Sequence, residues 1–326
     1  MPRIKEAAGR IAGVVLVSLG ATAVGHAQTY PAKPVRIIVP FPAGSSTDFV
    51  ARLIGDKLAQ KWGQAVVVEN KAGAAGNIGS QYVASSPADG YTLLFSTVAN
   101  AIGVGYMSKP IYDFVKDFAP VTLVATAPLV IVSNPSQPPA DIRDLLRLAK
   151  NAPGKLTFGS GGNGTSTHFT GEYLNQVASI QIKHIPYKGA TAAQVDVVGG
   201  RLTILLDNLA GVLPIIQSGR LKALAVTSTQ RSPMLPDVPT LQEIGLAGFE
   251  ALGWQGVNVP AHTPKDIVAK LNRDLVDVIH MPEVRQKIES SGAVAVGNSV
   301  DEYTRFVQAE VAKWSKVAQT AGIKEE

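Results

Sequence analysis

The sequence predicts an α/β protein of two lobes. Three observations carry that expectation. Short β-branched apolar runs alternate with helical patterns nearly throughout, which argues for mostly parallel, buried strands flanked by helices. Three of those runs break into a glycine-rich loop and then a helix: Val35-Arg-Ile-Ile-Val-Pro-Phe-Pro-Ala-Gly-Ser-Ser-Thr-Asp48, Val66-Val-Val-Glu-Asn-Lys-Ala-Gly-Ala-Ala-Gly-Asn-Ile-Gly79, and Leu156-Thr-Phe-Gly-Ser-Gly-Gly-Asn-Gly-Thr-Ser-Thr-His168. Two extended stretches, 121–134 and 236–260, read as crossings between lobes. A chain of 326 residues is large for one sheet and comfortable for two. The crossings place the first lobe at 28–127 with 250–326, and the second at 128–249.

The elements follow in order. A strand over 35–41 leads into a helix over 47–62, with Phe49, Val50, Leu53, Ile54 and Leu58 at helical spacing and Gly63 as its stop. A strand over 65–69, a short helix over 78–85 and a strand over 91–96 come next. Residues 121–132 form a longer extended run, and 142–150 a helix ended by Pro153-Gly154. Strands are expected at 156–159, 182–187, 202–207 and 221–227. Pro264 opens a helix to 279, and a second helix covers 282–290. Ser299-Val-Asp-Glu302 is a capping box for a last helix to 318, striped with Phe306, Val307, Val311, Trp314 and Val317.

The first 27 residues read as a secretory signal peptide. Arg3, Lys5 and Arg10 form the basic segment, 11–24 the apolar one, and Gly25-His-Ala27 the small-residue cleavage site. About 14 apolar residues fall short of the roughly 20 a membrane span needs. Their removal takes three basic residues and one acidic one, lowering the formal charge from +5 to +3. Arg143, Arg147 and Lys150 are interleaved with Asp141 and Asp144, so nucleic-acid binding is not expected. Without cysteine there is no disulfide, no thiol chemistry and no lipid anchor on a cysteine. His168, His184, His262 and His280 show no metal-ligand spacing, and neither a metal nor a cofactor is expected. The reading is a free, periplasmic monomer.

Glycine-rich loops that open helices gather unpaired N–H groups at the positive end of a helix dipole, which suits an anion. In the first loop Gly44 permits the turn, and Ser45, Ser46 and Thr47 exceed what a single N-cap needs. The third loop holds a literal G-x-G-x-x-G at Gly159, Gly161 and Gly164. The next strand nevertheless ends Ile185-Pro-Tyr-Lys188 without the acidic residue a dinucleotide site requires. Ser160 or Ser166 with His168 offers a rival reading, a secreted serine hydrolase. No G-x-S-x-G elbow supports it, and a neutral structural histidine suits a helix start better. Ser96, Thr97 and Asn100 follow a strand and can line a cleft. Asp207 and Asn208 end another strand, where a buried Asp needs either a ligand ammonium or a backbone N–H. Asn77 reads as a local cap.

The wording of the motifs then becomes informative. Tyr30-Pro-Ala-Lys-Pro-Val-Arg-Ile-Ile-Val-Pro-Phe-Pro-Ala-Gly44 with Thr47-Asp48 resembles the start of the tripartite tricarboxylate transporter substrate-binding proteins, the Bug-type (Bordetella uptake gene) receptors. So do Gly76-Asn-Ile-Gly79, Pro87-Ala-Asp-Gly-Tyr-Thr-Leu-Leu94, Gly164-Thr165 with His168, Pro186-Tyr-Lys-Gly189 and Leu235-Pro-Asp-Val-Pro-Thr-Leu241, in order along the chain. The resemblance implies a type II-like periplasmic binding protein whose lobes close on a ligand cleft. It implies capture of a small carboxylated solute, such as a di- or tricarboxylate, an aromatic acid or an amino acid. The solute would pass to permease subunits in the membrane, with a sensor kinase as an alternative docking partner. Carried over, the ligand loops are Ala43, Gly44, Ser45, Ser46, Thr47 and Asp48, and Ser160, Gly161, Gly162, Asn163, Gly164, Thr165 and Ser166. Ser96, Thr97, Asn100, Tyr187, Lys188, Asp207 and Asn208 would face the rest of the ligand. The chain departs from the family pattern at Ser45, where a second glycine is usual, and at Lys71-Ala72, where Arg-Pro is common. The first departure falls in the expected pocket.

Overall fold

A computed structural model describes residues 30–325, so the expected leader lies outside the described residues. The first strand, β1 (Val35–Val39), is almost wholly shut off from solvent, as a parallel strand covered on both faces must be. Helix α1 (Ser46–Trp62) follows. Ser45 caps its start, and Gly63 at φ 63° ends it by donating to the Ala59 carbonyl. β2 (Val66–Asn70) returns parallel to β1. α2 (Asn77–Ala84) then leads to β3 (Thr92–Thr97), parallel on β1's other side.

The chain continues through α3 (Val98–Tyr106), the long strand β4 (Phe118–Ser133) and α4 (Ile142–Asn151). It then repeats the first arrangement. β5 (Thr157–Ser160), α5 (Ser166–Ala178), β6 (Lys183–Pro186), α6 (Ala190–Val198) and β7 (Ile204–Asn208) form a second parallel unit, again with its first strand in the middle. The remaining elements are α7 (Leu209–Gln217), β8 (Lys222–Val226), β9 (Leu252–Pro260), α8 (Lys265–Ile279), α9 (Pro282–Glu289), β10 (Val294–Ala295) and α10 (Val300–Ala321). The strands run β2-β1-β3-β9-β4-β7-β5-β6, with β8 and β10 also on β4.

Mostly parallel pairing therefore describes the flanks and not the centre. The chain leaves the first unit along β4 and returns along β9, so these two lie antiparallel to each other. β9 is also antiparallel to β3, and β4 to β7 and β8. Two further differences have local causes. Residues 98–106 carry two glycines, each costing about 1 kcal/mol in a helix, yet form α3 because Thr97 caps it and α10 packs on it. Residues 252–260 form a strand despite Gly253 and Gly256. A β-carbon on Gly256 would collide with the Tyr303 hydroxyl, so that glycine makes room for a packed tyrosine.

One apolar core lies under both units, joining Phe158, Phe169 and Leu206 to Trp254, Tyr303 and Trp314. Its polar centre is Glu310 on α10. One carboxylate oxygen accepts the indole N–H of Trp254 on β9 at 2.8 Å and that of Trp314 at 2.9 Å, while Lys313 pairs with the other. Trp314 in turn meets the rings of Phe169 and Tyr173 on α5. Glu310→Ala strands two buried donors and should destabilise the protein by about 2–6 kcal/mol, since each unmet buried group costs about 1–3 kcal/mol. Urea unfolding checks this; a loss under about 1 kcal/mol would mean that the two indoles find other partners.

Candidate functional site

The two parallel units start their central helices with the same turn. Gly44-Ser45-Ser46-Thr47-Asp48-Phe49 opens α1, and Gly164-Thr165-Ser166-Thr167-His168-Phe169 opens α5. Each glycine sits at positive φ, 82° for Gly44 and 75° for Gly164. Each following residue is an extended N-cap: Ser45 Oγ accepts from the Asp48 amide at 3.2 Å, and Thr165 Oγ1 from the His168 amide at 3.3 Å. In each, the fifth side chain folds back onto the glycine. Gly44 N–H donates to Asp48 Oδ2 at 2.9 Å, and Gly164 N–H to His168 Nδ1 at 3.2 Å. By helix geometry the amides of Ser46 and Thr47, and of Ser166 and Thr167, have no carbonyl four residues back to meet. The molecule thus presents two matched pairs of N–H donors, each at the positive end of a helix dipole.

The side chains behind the turns differ. Asp48 is buried, and burial alone would raise its carboxyl. Arg52, the Gly44 amide and Asn70 outweigh that and hold it below the usual carboxylate range. Asn70 also donates to the Phe41 carbonyl, which ties the loop to the end of β2. Behind the second turn lie two stacked imidazoles. His168 and His184 have ring centroids 3.8 Å apart and an interplanar angle of 10°. His184 Nε2 lies 2.6 Å from Ser160 Oγ, which accepts the Gly162 N–H at 3.1 Å. Thr165 Oγ1 donates to the Gly162 carbonyl at 2.7 Å, closing the loop on itself.

The residues from 50 to 323 match the family model described as tripartite tricarboxylate transporter family receptor. The chain belongs to that family. The BugT protein of Bordetella pertussis is 37% identical over 316 residues, covering 96% of this chain and 97% of that protein. Rpa4515 of R. palustris, solved with adipate, is 35% identical with a TM-score of 0.77, over 91% of this chain and 100% of that one. MatC of Rhodopseudomonas palustris, solved with bound malate, is 30% identical with a TM-score of 0.74, over 88% of this chain and 99% of that one. The fold of the receptor is accordingly the two-lobed periplasmic binding fold of these relatives.

The receptor brings Gly44 to Thr47 and Gly161 to Thr167 into the two turns. Ala43, Gly44, Ser46 and Asn163 are exposed there, and Ser45, Thr165 and Ser166 are partly so. Other expected contacts are engaged within the fold. Ser96 is sealed, its hydroxyl meeting the Gly256 carbonyl, Asn258 and Tyr303. Thr97 caps α3, with its amide on Asn100 Oδ1, and Asn100 binds Ser80 and Tyr112. Asp48 is held as described, and Ser45 serves as its cap partner. Lys71 at the other family departure lies over the Tyr82 ring. Tyr187 donates to Asp196, and Lys188 is exposed. Asp207 is buried at the end of β7. It accepts from Gln194 and the Asn208 amide and meets no cation among the described residues, and burial pushes its carboxyl up. Asn208 beside it is exposed. Asn77 accepts from Tyr112 rather than capping its helix with its side chain.

The serine pairing expected for a hydrolase does not form. Ser160 meets His184, not His168, and is fully buried, so its oxygen is closed to a substrate. His184 was missed in the sequence because its position beside Ser160 comes from β6 pairing with β5. A cavity of about 760 Å³ lies beside the C-terminal half of α5, bounded by α10, the end of α4 and the loop before β6, with Glu172 and His184 in its wall.

Burial lowers His168 to about 4, and burial with the neighbouring His168 lowers His184 to about 3. Unfolded imidazoles titrate near 6.5, so below that pH the unfolded chain binds more protons. Stability should therefore be full above about pH 6.5 and fall toward pH 4, by up to about 1.4 kcal/mol per pH unit for each imidazole. His184→Gln keeps a polar group near Ser160 and removes one titrating ring. Its stability, measured by denaturant unfolding from pH 7 to 4.5, should fall about half as steeply; an unchanged slope would contradict the assignment.

Proposed function

We propose that this receptor captures a small carboxylated solute in the periplasm, between the two matched turns, and delivers it unchanged to the membrane subunits of a tripartite secondary transporter. The observation that carries the reading is the duplicated turn. Four unpaired amides at two helix starts form a cradle for carboxylate oxygens that needs no charged side chain. The family and the adipate- and malate-bound relatives support it. No helix among the described residues is long and apolar enough to cross a membrane, and in this reading other chains supply the permease. In this reading the leader is removed, the protein acts as a monomer without a lipid anchor, and no bond in the solute is made or broken.

The lobes in this reading are 28–127 with 250–326, and 128–249. Support comes from β4, whose residues 118–128 pair with β9 while 129–132 pair with β7 and 130–133 with β8. The hinge then lies where one strand changes partners, and at the return between β8 and β9. Closure is driven by a ligand that touches both lobes. Docking on a sensor kinase in place of a permease would use the same closed form.

The buried Asp207, lacking a cation, favours a second reading in which the solute also carries an ammonium group. A melting-temperature panel of adipate, malate, aspartate, a neutral sugar and a polyamine separates these readings. At least one carboxylate should raise the transition, and aspartate should exceed malate if Asp207 meets an ammonium. A shift from the sugar or polyamine alone would overturn the carboxylate reading. Thr165→Ala, which removes the second cap, should weaken the bound carboxylate by about tenfold and cost about 1 kcal/mol of stability.

A further inference from the structure

The two turns match in backbone and differ in what lies against them. A β-carbon added to Gly44 would have nothing within 4 Å. One added to Gly164 would lie 2.7 Å from Tyr106 Cε1 and 3.0 Å from its Cζ. Gly44 is needed only for its positive φ. Gly164 is also needed because an aromatic ring rests on it.

That ring comes from the other parallel unit. Tyr106 is the last residue of α3, which starts at the cap Thr97 on the end of β3. Nine residues of helix span about 13 Å, enough to reach from the first unit to the second turn. The end of α3 is itself fixed. The Glu325 amide donates to the Tyr106 carbonyl at 3.1 Å, and Gly105 lies tight against Ser315 of α10. On the far side the Tyr106 ring meets Phe169 edge-on, with centroids 5.9 Å apart and planes at 86°. Phe169 directly follows His168, the acceptor of the Gly164 N–H.

We propose that Tyr106 is a positioning residue for ligand capture. In the arrangement described, its ring seats the second turn against the first unit, and so sets the spacing between the two pairs of amides. The inference rests on the reading that both turns hold one ligand. Without the ring, Gly164 loses its three nearest contacts on that side, and the Gly164–His168 bond loses its backing.

The test uses Tyr106→Ala and Tyr106→Phe in the full mature protein. In the ligand-free protein, amide exchange across 161–167 should quicken about tenfold in Tyr106→Ala, with β1 unchanged, and stay within about twofold in Tyr106→Phe. For the tightest of adipate, malate and aspartate, the Kd should rise about tenfold in Tyr106→Ala, through faster dissociation, and the phenylalanine variant should restore it. Exchange that quickens equally everywhere with an unchanged Kd, or not at all, would overturn the proposal. If none of the three solutes binds the wild-type protein, the carboxylate reading fails, and the exchange data alone decide whether Tyr106 seats the turn.

Discussion

The first backbone amides of a helix have no partner within it, and this molecule places two such starts at the ends of its two central parallel strands. Everything at the candidate site follows from that constraint. The caps Ser45 and Thr165 satisfy one amide each. Asp48 and His168 satisfy the glycine amides before them. The amides left over, on Ser46, Thr47, Ser166 and Thr167, need an outside acceptor, either water or a solute oxygen. A neutral cradle of this kind holds an anion without a buried ion pair, so it need not pay a desolvation penalty for a protein charge.

The rest of the fold keeps the two starts in place. A parallel strand must leave through a helix, so β1 and β5 each hand the chain to the helix that carries the turn. β4 and β9 serve the opposite need. They are antiparallel and long because they carry the chain between units: β9 pairs with β3 of the first unit, β4 with β7 of the second, and the two pair with each other. Glu310 binds the returning strand to α10 through Trp254 and carries the contact to α5 through Trp314. The backing of the turns is unequal: an ion pair with Arg52 on the first side, and two neutral imidazoles on the second.

Much of this was legible in the residues. Ser45 and Gly63 bracket α1, and Ser299 with Glu302 starts α10, because capping is local chemistry that spacing reveals. The glycine-rich loops announced helix starts for the same reason. The shared Gly-Ser/Thr-Ser-Thr-x-Phe wording of the first and third loops was also present, and aligning the loops by their caps would have found it. Other features depend on packing that no spacing encodes. Asp48 looked like a ligand contact, but Arg52 and Asn70 converge on it only after α1 lies across β2. Ser96 looked like a cleft residue, but Tyr303 arrives from the far end of the chain to seal it. β9 was hidden by its glycines, and the need for Gly256 appears only when Tyr303 is in place. The stack of His168 on His184 likewise needed β6 beside β5.

The central claim is that one solute carboxylate is held by both turns. A crystal structure of the receptor grown with the solute that most raises its melting temperature tests it most directly. The account predicts carboxylate oxygens, directly or through one ordered water, within hydrogen-bond reach of the amides at the starts of both α1 and α5. A solute seated instead in the cavity between α5 and α10, or touching only one of the two helix starts, would contradict it.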